Sequence, residues 1–298
     1  MFQTHIGEFA ALLTAMFWTV SSLSFESAGK KVGSLSVNFI RLIIGFILIS
    51  IYTYITRGML LPLDASGSTW MWLMISGLIG FVLGDLFLFQ AYVEVGSRIS
   101  MLVMSSVPPI TAILSFIVFQ EKLTKTSLIG MGITVLGIAI VVLKKKEGES
   151  KVQFSHPVKG LFFAFMGALG QAFGTIISKF GMKDYNPFAA TQIRIIAGII
   201  GFSILLLIMK KYNNILVAVK NTSALKRISL GALFGPVLGV SFSLLAIQHT
   251  TAGVASTITS IVPVLLIPPA IILLKEKITP KEILGSIITI LGVGVLFL

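Results

Sequence analysis

The chain has 298 residues, of which 55% are hydrophobic and only 11% are charged, and its formal net charge is +12. An average soluble domain is about 25% charged, so the composition excludes a water-soluble globule and indicates an integral membrane protein. Nucleic acid is not an expected partner, because Lys and Arg lie in the gaps between apolar runs and form no continuous basic face. The chain has no cysteine, which excludes disulfides and thiolate metal sites, and its three His are scattered. No cofactor or metal is expected.

Ten apolar runs are long enough to be membrane spans, since a helix needs about 20 mostly apolar residues, or about 17 at the short end, to cross a bilayer. Only helices fit these runs, because lipid offers no hydrogen-bond partner to an open backbone. The first run lacks the basic stretch of a signal peptide and is expected to stay in the mature protein. Spans 1 to 10 are predicted at residues 6–26, 35–57, 70–92, 98–119, 127–143, 157–178, 187–209, 227–247, 252–274 and 281–298.

A charged linker at residues 144–151 divides five spans from five. We therefore predict a first five-helix unit at 1–146, a linker at 147–156 and a second five-helix unit at 157–298. Another polar stretch, 210–227, connects spans 7 and 8. No attached soluble domain is expected.

The two halves share a sequence pattern, and residues 83–143 align with 238–298 without a gap. Because each repeat holds an odd number of spans, the second enters the membrane from the opposite side. The predicted fold class is therefore an all-α membrane protein with ten transmembrane helices in two inverted five-helix repeats. The matching segments are Ser105-x-Val107-Pro108 with Ser260-x-Val262-Pro263, Glu121-Lys122-x-Thr124 with Glu276-Lys277-x-Thr279, Gly130 and Gly137 with Gly285 and Gly292, and Ile40-Arg41 with Ile193-Arg194.

These doubled motifs resemble the EamA-type members of the drug/metabolite transporter superfamily, over essentially the whole chain. The resemblance implies a central cavity between the repeats and alternating access. It also implies transport of small metabolites such as amino acids, sugars or nucleotide derivatives, which many bacterial members export. It does not select a substrate, because fold analogy alone cannot do so.

Asp85 is the most informative single residue, because it lies well inside span 3. A charge near the bilayer centre costs about 2.5–3.5 kcal/mol on insertion scales. Its repeat partner is Val240, so the charge belongs to one half only. Two explanations are open. Asp85 binds substrate or a proton, which would couple transport to a proton gradient, or it is a structural anchor between helices.

Arg41 and Arg194 occupy matching places in spans 2 and 7, about 10 Å from the helix start at 1.5 Å per residue. The structural explanation is that each side chain reaches the interface or bonds between helices. We favour it because both halves keep the residue. The alternative is an anion clamp, since a guanidinium can hold a carboxylate or phosphate through two parallel hydrogen bonds.

Spans 1 and 6 carry polar stripes whose helical spacing puts each set on one face. A polar face in lipid must be turned toward protein or water. We favour cavity lining over helix packing, because Trp18 and Gln171 are too large for a tight seam of small residues. The stripes consist of Thr14, Trp18, Ser21, Ser22 and Phe25, and of Gly167, Gln171, Gly174, Thr175 and Ser178.

Other polar and special residues are expected to serve the scaffold. Gly80-x-x-x-Gly84 and Gly235-x-x-x-Gly239 should let helices approach closely. The Glu-Lys pairs at 121–122 and 276–277 should be interfacial anchors or caps. Prolines inside spans 4 and 9 should kink or unwind them, as a hinge with exposed carbonyls or as a fixed kink; they are Pro108, Pro109, Pro263, Pro268 and Pro269. Residues near predicted ends should reach water, namely Glu26, Glu94, Lys179 and His249.

The orientation of the chain receives two conflicting predictions. Most Lys and Arg outside the spans lie in gaps that follow odd-numbered spans. The positive-inside rule then places both termini outside the cytoplasm, whereas the family resemblance implies cytoplasmic termini.

No catalytic constellation and no phosphate-cradling loop is present in the sequence, so an enzyme is not expected. The sequence predicts a secondary transporter in a prokaryotic plasma (inner) membrane that exports a small polar metabolite, such as an amino acid, by alternating access. A passive channel and a membrane-embedded enzyme are the alternatives. Its partners would be a small-molecule substrate, the lipid bilayer and, if Asp85 is a coupling site, protons; the oligomeric state is open. The candidate substrate-binding or pathway residues are Trp18, Ser22, Arg41, Asp85, Gln171, Thr175 and Arg194.

Overall fold

The computed structural model describes residues 5–119, 124–145, 152–250, 255 and 258–296, and almost all of them are helical. The helices, numbered in chain order, are α1 Ile6–Val32, α2 Ser34–Arg57, α3 Gly67–Met104, α4 Val107–Phe119, α5 Lys125–Val142, α6 Val158–Met182, α7 Pro187–Ile208, α8 Tyr212–Lys220, α9 Thr222–His249, α10 Val262–Leu274 and α11 Pro280–Leu296. Between α5 and α6, the strands β1 (Leu143–Lys145) and β2 (Val152–Phe154) pair antiparallel.

Within the described residues, seven helices are long and apolar enough to cross a membrane: α1, α2, α3, α5, α6, α7 and α9. The apolar helices α4 and α10 are shorter. An all-helical membrane protein is therefore confirmed. The arrangement as ten spans in two inverted repeats stays a prediction.

The predicted span at 98–119 is not one continuous helix, because α3 ends at Met104 and α4 begins at Val107. The predicted division between 70–92 and 98–119 does fall at Gly96, where α3 bends sharply with φ 81° and ψ 162°. That backbone region is open essentially only to glycine. The chain then leaves the helix at Ser105 and Ser106 before α4 begins.

The prolines of spans 4 and 9 lie where these spans are interrupted, at the starts of helical pieces, in line with the expectation that they kink or unwind the helix. Helix α10 consists of two pieces, Val262–Leu265 and Ile267–Leu274, and each has a proline in its first two positions. Pro108 is likewise the second residue of α4. A first-turn residue has no intrahelical use for its N–H, so proline costs nothing there.

Two polar stretches contain more structure than the sequence predicts. The described part of the 144–151 linker begins in the hairpin of β1 and β2, and residues 146–151 lie outside the described residues. The stretch 210–227 contains the helix α8 and the start of α9. Helix α8 turns Ile215 and Ala218 inward, a stripe too short to be recognised as a span.

The packing places the ends of the two halves in direct contact. Helix α3 packs along α6, and α5 packs along α11. At the α5–α11 seam a Cβ on Gly137 would lie 2.5 Å from the backbone nitrogen of Thr289, so glycine permits the close approach. Large apolar side chains on the outer faces stay exposed, among them Ile55, Leu136 and Ile272, as suits a surface that meets lipid.

Candidate functional site

A central cavity of about 160 Å³ is lined by residues from both halves of the chain. On the scale in which one water needs about 10–15 Å³, it has room for on the order of ten water-sized bodies. Its walls come mainly from α1, α3 and α9, with residues of α2, α4, α6 and α10. Six of the seven candidate residues line it: Trp18, Ser22, Arg41, Asp85, Gln171 and Thr175.

Asp85 is the centre of the polar contacts in this cavity and is only 4% exposed. Its Oδ2 accepts a hydrogen bond from Nη2 of Arg41 at 2.5 Å, and its Oδ1 accepts one from Nε2 of Gln171 at 2.8 Å. Asn38 on α2 donates to the backbone oxygen of Asp85 and accepts from Nε of Arg41. The carboxylate thus has a cation and an amide as partners, which offsets the cost of its burial.

A π-helical turn positions Asp85. The seven residues Leu78–Gly84 form this turn inside α3, and the backbone N–H of Asp85 donates to the oxygen of Gly80. The repeat-equivalent segment of α9, Leu233–Gly239, is also π-helical, and Val240 donates to Gly235. Such turns often mark functional sites. Here each lies directly before the residue that faces the cavity, Asp85 in one half and Val240 in the other.

The α6 stripe divides between the cavity and the scaffold. Gln171 and Thr175 line the cavity, and the Thr175 hydroxyl donates to the backbone oxygen of Gln171. Gly174 instead packs against Gly80 of α3, and the hydroxyls of Ser178 and Ser76 hydrogen-bond 2.6 Å apart. The α6 stripe therefore both lines the cavity and packs against α3, which are the two alternatives that the sequence left open.

The α1 stripe lies along one wall of the cavity. Trp18, Ser21, Ser22 and Phe25 line it, and the Ser22 hydroxyl donates to the backbone oxygen of Trp18. Thr14 is fully buried and bonds within α1. A Cβ on Gly239 of α9 would lie 2.7 Å from the Trp18 ring, so α9 approaches Trp18 closely.

Neither of the two in-span arginines reaches the membrane interface, which corrects that part of the structural explanation. Arg41 is 3% exposed and Arg194 is 4% exposed. Arg41 lines the cavity and bonds between helices. Arg194 does not line it; its Cζ lies 4.9 Å from the centre of the Phe81 ring, which does.

The sequence analysis missed several cavity residues. Ser105 and Ser260 line the cavity, and their place in the doubled Ser-x-Val-Pro motif was the signal that could have identified them. Tyr92 also lines the cavity and carried no such signal, nor did Asn38, which bonds to Asp85 and Arg41 without lining the cavity. Tyr92 lies in the α3 wall, with its hydroxyl 3.3 Å from the sulfur of Met101.

A second polar cluster lies just beyond the cavity and corrects the expectation that Glu26 reaches water. Glu26 is fully buried; it accepts from Nζ of Lys30 at 2.5 Å and from the backbone N–H of Ser97 at 2.6 Å. The adjacent Arg98 donates to Glu276 at 3.1 Å. Glu276 therefore bonds between the halves rather than acting as a cap, while its repeat partner Glu121 lies outside the described residues.

Other expectations for the helix ends hold in part. Lys179 and His249 are exposed, and Glu94 is half-buried beside Lys159. In the part of the chain that the structure describes, no group of three or more His, Cys, Asp or Glu could hold a metal ion.

Comparisons with known proteins cover nearly the whole chain. A family model described as "EamA-like transporter family" matches twice, at residues 5–143 and 158–298. A protein from Clostridium kluyveri (strain ATCC 8527 / DSM 555 / NBRC 12016 / NCIMB 10680 / K1) that is named "Uncharacterized transporter" is 23% identical over 295 residues, covering 96% of this chain and 91% of that protein. A protein of known crystal structure superposes with a TM-score of 0.62 at 16% identity, covering 97% of this chain and 95% of that one.

Proposed function

Because the chain belongs to the EamA-like transporter family, we propose that it is a secondary transporter that carries a small polar metabolite, such as an amino acid, by alternating access. The family and the named relative make it a membrane transporter and not an enzyme, as the sequence predicted. The proposed architecture is ten transmembrane helices in two inverted five-helix repeats, and the proposed location is a prokaryotic plasma membrane. The relative's bacterial source supports that location.

The observation that carries the proposal is the cavity between the two halves, with Asp85, Arg41 and Gln171 joined inside it. Transporters built from inverted repeats bind substrate at the repeat interface, next to interrupted helices. Here both halves contribute a π-helical turn and a helix that starts at a Ser-x-Val-Pro motif to the cavity wall. We propose Trp18, Ser22, Thr175 and the Asp85 group as the substrate-contacting residues.

The polar cluster around Glu26 supports alternating access. Along α1 the cavity-lining residues end at Phe25, and along the first part of α3 they end at Tyr92. The ion pairs of Glu26 and Arg98 follow directly, and Arg98 pairs across to the second half through Glu276. Ion pairs between halves at one end of a cavity can break and re-form as the halves rock.

Reconstituted vesicles test the function. Purified protein is screened against amino acids, nucleosides and sugar phosphates, and uptake is measured with and without substrate on the far side of the membrane. A carrier gives saturable flux that substrate on the far side accelerates. Flux that stays linear in concentration would mean a passive channel and would remove the proposal.

Coupling is tested by the Asp85→Asn variant. The amide keeps the size of the carboxyl group but cannot carry a proton. We propose that this variant still exchanges substrate across the membrane. It should no longer accumulate substrate in the export direction when a proton gradient is applied. Full accumulation by Asp85→Asn would leave Asp85 as a structural anchor only.

A further inference from the structure

The charges around the cavity do not balance. The charged residues that line it are Arg41 and Asp85, which pair with each other. A second guanidinium, that of Arg194, lies behind the cavity-lining ring of Phe81, and the same ring lies 5.6 Å from Cζ of Arg41. Asp85 is the carboxylate that pairs with Arg41, and among the described residues no ion pair is found for Arg194. Two buried cations therefore share one carboxylate, which leaves one surplus positive charge.

Arg194 itself shows that this charge is not compensated by the scaffold. The residue is 4% exposed, and its Nε is buried without a hydrogen-bond partner. A buried charge that lacks a partner is costly. The buried carboxylate of Glu26, on α1, already pairs with Lys30 and accepts a hydrogen bond from the backbone N–H of Ser97. It cannot also neutralise Arg194.

Arg41 provides the donors through which an anion could enter. A guanidinium has five N–H donors in a planar fork. Those of Arg41 reach two acceptors among the described residues, Asn38 Oδ1 from Nε and Asp85 Oδ2 from Nη2, so three donors are left at a side chain that lines the cavity. Aromatic rings surround it, with ring centres 4.4 Å (Phe89) and 5.6 Å (Phe25 and Phe81) from its Cζ. They hold the fork in place and keep its surroundings poor in water.

We infer that the cavity is a site for one negative charge, and that the substrate is a small molecule with a carboxylate and no compensating ammonium group. The carboxylate accepts from the free N–H donors of Arg41, and Arg194 adds attraction through the Phe81 layer. The inference uses the cavity of the proposed function and narrows its substrate class. A zwitterionic amino acid would satisfy the hydrogen bonds of Arg41 but leave the surplus charge, whereas a monocarboxylate satisfies both.

The test measures anion accumulation in the cavity without any substrate. Trp18 lines the cavity, and the chain has three Trp, so replacing Trp70 and Trp72 with Phe leaves Trp18 as the single tryptophan, which is excited selectively. Quenching of Trp18 fluorescence in the purified protein is measured with iodide, with caesium and with acrylamide. Because acrylamide is neutral, its quenching constant corrects for how easily a small molecule reaches Trp18. A cleft of one sign of charge raises the local concentration of its counter-ion by about tenfold or more. We therefore expect the access-corrected iodide constant to exceed the caesium constant by about tenfold.

Two variants in that background change the charge in opposite directions. Arg194→Gln removes the surplus charge and should bring the iodide and caesium constants together. Asp85→Asn raises the surplus by one charge and should increase the preference for iodide. Since the two variants remove different side chains, one that fails to fold still leaves the other, and the unmodified cavity, to decide.

Equal quenching by iodide and caesium, or an iodide preference that neither variant changes, overturns the inference. Acetate added at constant ionic strength should lower iodide quenching of Trp18, and an unchanged constant would count against the site. The outcome is separate from that of the vesicle assay. An iodide preference without carrier flux would leave the anion site standing and remove the transport proposal, and carrier flux without the preference would do the reverse.

Discussion

Asp85 receives hydrogen bonds from two helices through its carboxylate oxygens, and this is the contact on which the polar site depends. Arg41 comes from α2 and Gln171 from α6. A single carboxylate inside an apolar run was visible in the sequence, because its cost in lipid stands out. Its partners were not, because the pairing depends on how separate helices pack, and no local pattern encodes that.

The first prediction concerns the energy of the Asp85–Arg41 pair. Removing one member of a buried ion pair costs about 3–5 kcal/mol, because the other charge is left uncompensated. Asp85→Asn and Arg41→Gln should each lower the thermal unfolding temperature strongly. The double variant should lose less than the sum of the two single losses, because both single variants already remove the same contact. Strictly additive losses in a double-mutant cycle would show that the two side chains do not interact.

The second prediction concerns substrate contact. Trp18→Ala and Gln171→Ala should each raise KM several-fold, because a lost contact costs on the order of 1 kcal/mol and about 1.4 kcal/mol is a factor of ten. The matched control is Gln192→Ala. Gln192 is fully buried and bonds to Ser50 and to the backbone of Leu60, away from the cavity. The Gln192→Ala protein should be less stable than the unmodified protein and should have an unchanged KM. Unchanged kinetics in both cavity variants would show that the site lies elsewhere.

Among the elements, the helices were predictable and their interruptions were not. Long apolar runs predicted α2, α5, α6 and α7 closely, because the length of a run needed to cross lipid is fixed by bilayer thickness, whereas α1 continues six residues beyond its predicted end at residue 26. The π-helical turns at Leu78–Gly84 and Leu233–Gly239 have the same apolar composition as the α-helix on either side. Periodicity cannot distinguish them, and only the doubled glycines hinted at a special backbone.

The third prediction concerns the bend of α3. Gly96 combines a positive φ with close approach, since a Cβ there would lie 3.3 Å from Oε1 of Glu276 and 3.5 Å from Oε1 of Glu26. Gly33 has nearly the same backbone angles, with φ 82° and ψ 149°, but open space around it. Gly33→Ala should cost about 1–3 kcal/mol from backbone strain alone. Gly96→Ala should cost more, measured as a lower thermal unfolding temperature, and a smaller loss at Gly96 would contradict the described contacts.

Across the whole molecule, polar contacts tie the two halves together at two places. At one of them, Arg98 of the first half pairs with Glu276 of the second. At the other, beyond the end of α2, Asp64 pairs with Arg57 at 2.5 Å and accepts from the Tyr185 hydroxyl of the second half at 2.8 Å. Repeats in the sequence predicted that the halves correspond, but not which side chains join them.

The fourth prediction is the pH dependence of the Asp64–Tyr185 contact, which lies between helices. Partial burial tends to raise the pKa of Asp64, but the Tyr185 hydroxyl and the Arg57 charge hold that pKa below its usual 3.8. Its stabilising contribution is therefore present above pH 3.8 and is lost as pH falls through the lowered value. Burial and the Asp64 hydrogen bond raise the pKa of Tyr185 from 10.0 to about 12. Between pH 10.0 and about 12 the Tyr185 hydroxyl of the unfolded chain loses its proton, whereas that of the folded protein keeps it. The stability of the folded protein therefore falls as pH rises through this range.

Both effects should be small, at most about 1 kcal/mol each, because Asp64 lies at the surface and Tyr185 is only partly buried. Thermal unfolding against pH would measure them. Tyr185→Phe should flatten the alkaline fall and Asp64→Asn the acidic one. If neither variant changes the profile, the contact does not contribute to stability.

Alternating access of the central cavity is tested most directly by chemical labelling at Thr175, because the natural chain has no cysteine to interfere. Thr175→Cys places a thiol in the cavity wall, and Thr53→Cys places one at a buried position outside it. Each variant is exposed to a membrane-impermeant thiol reagent in right-side-out and in inside-out vesicles. We expect the Thr175→Cys protein to be labelled from both sides and the Thr53→Cys protein from neither. Labelling of Thr175→Cys from one side only would contradict alternating access.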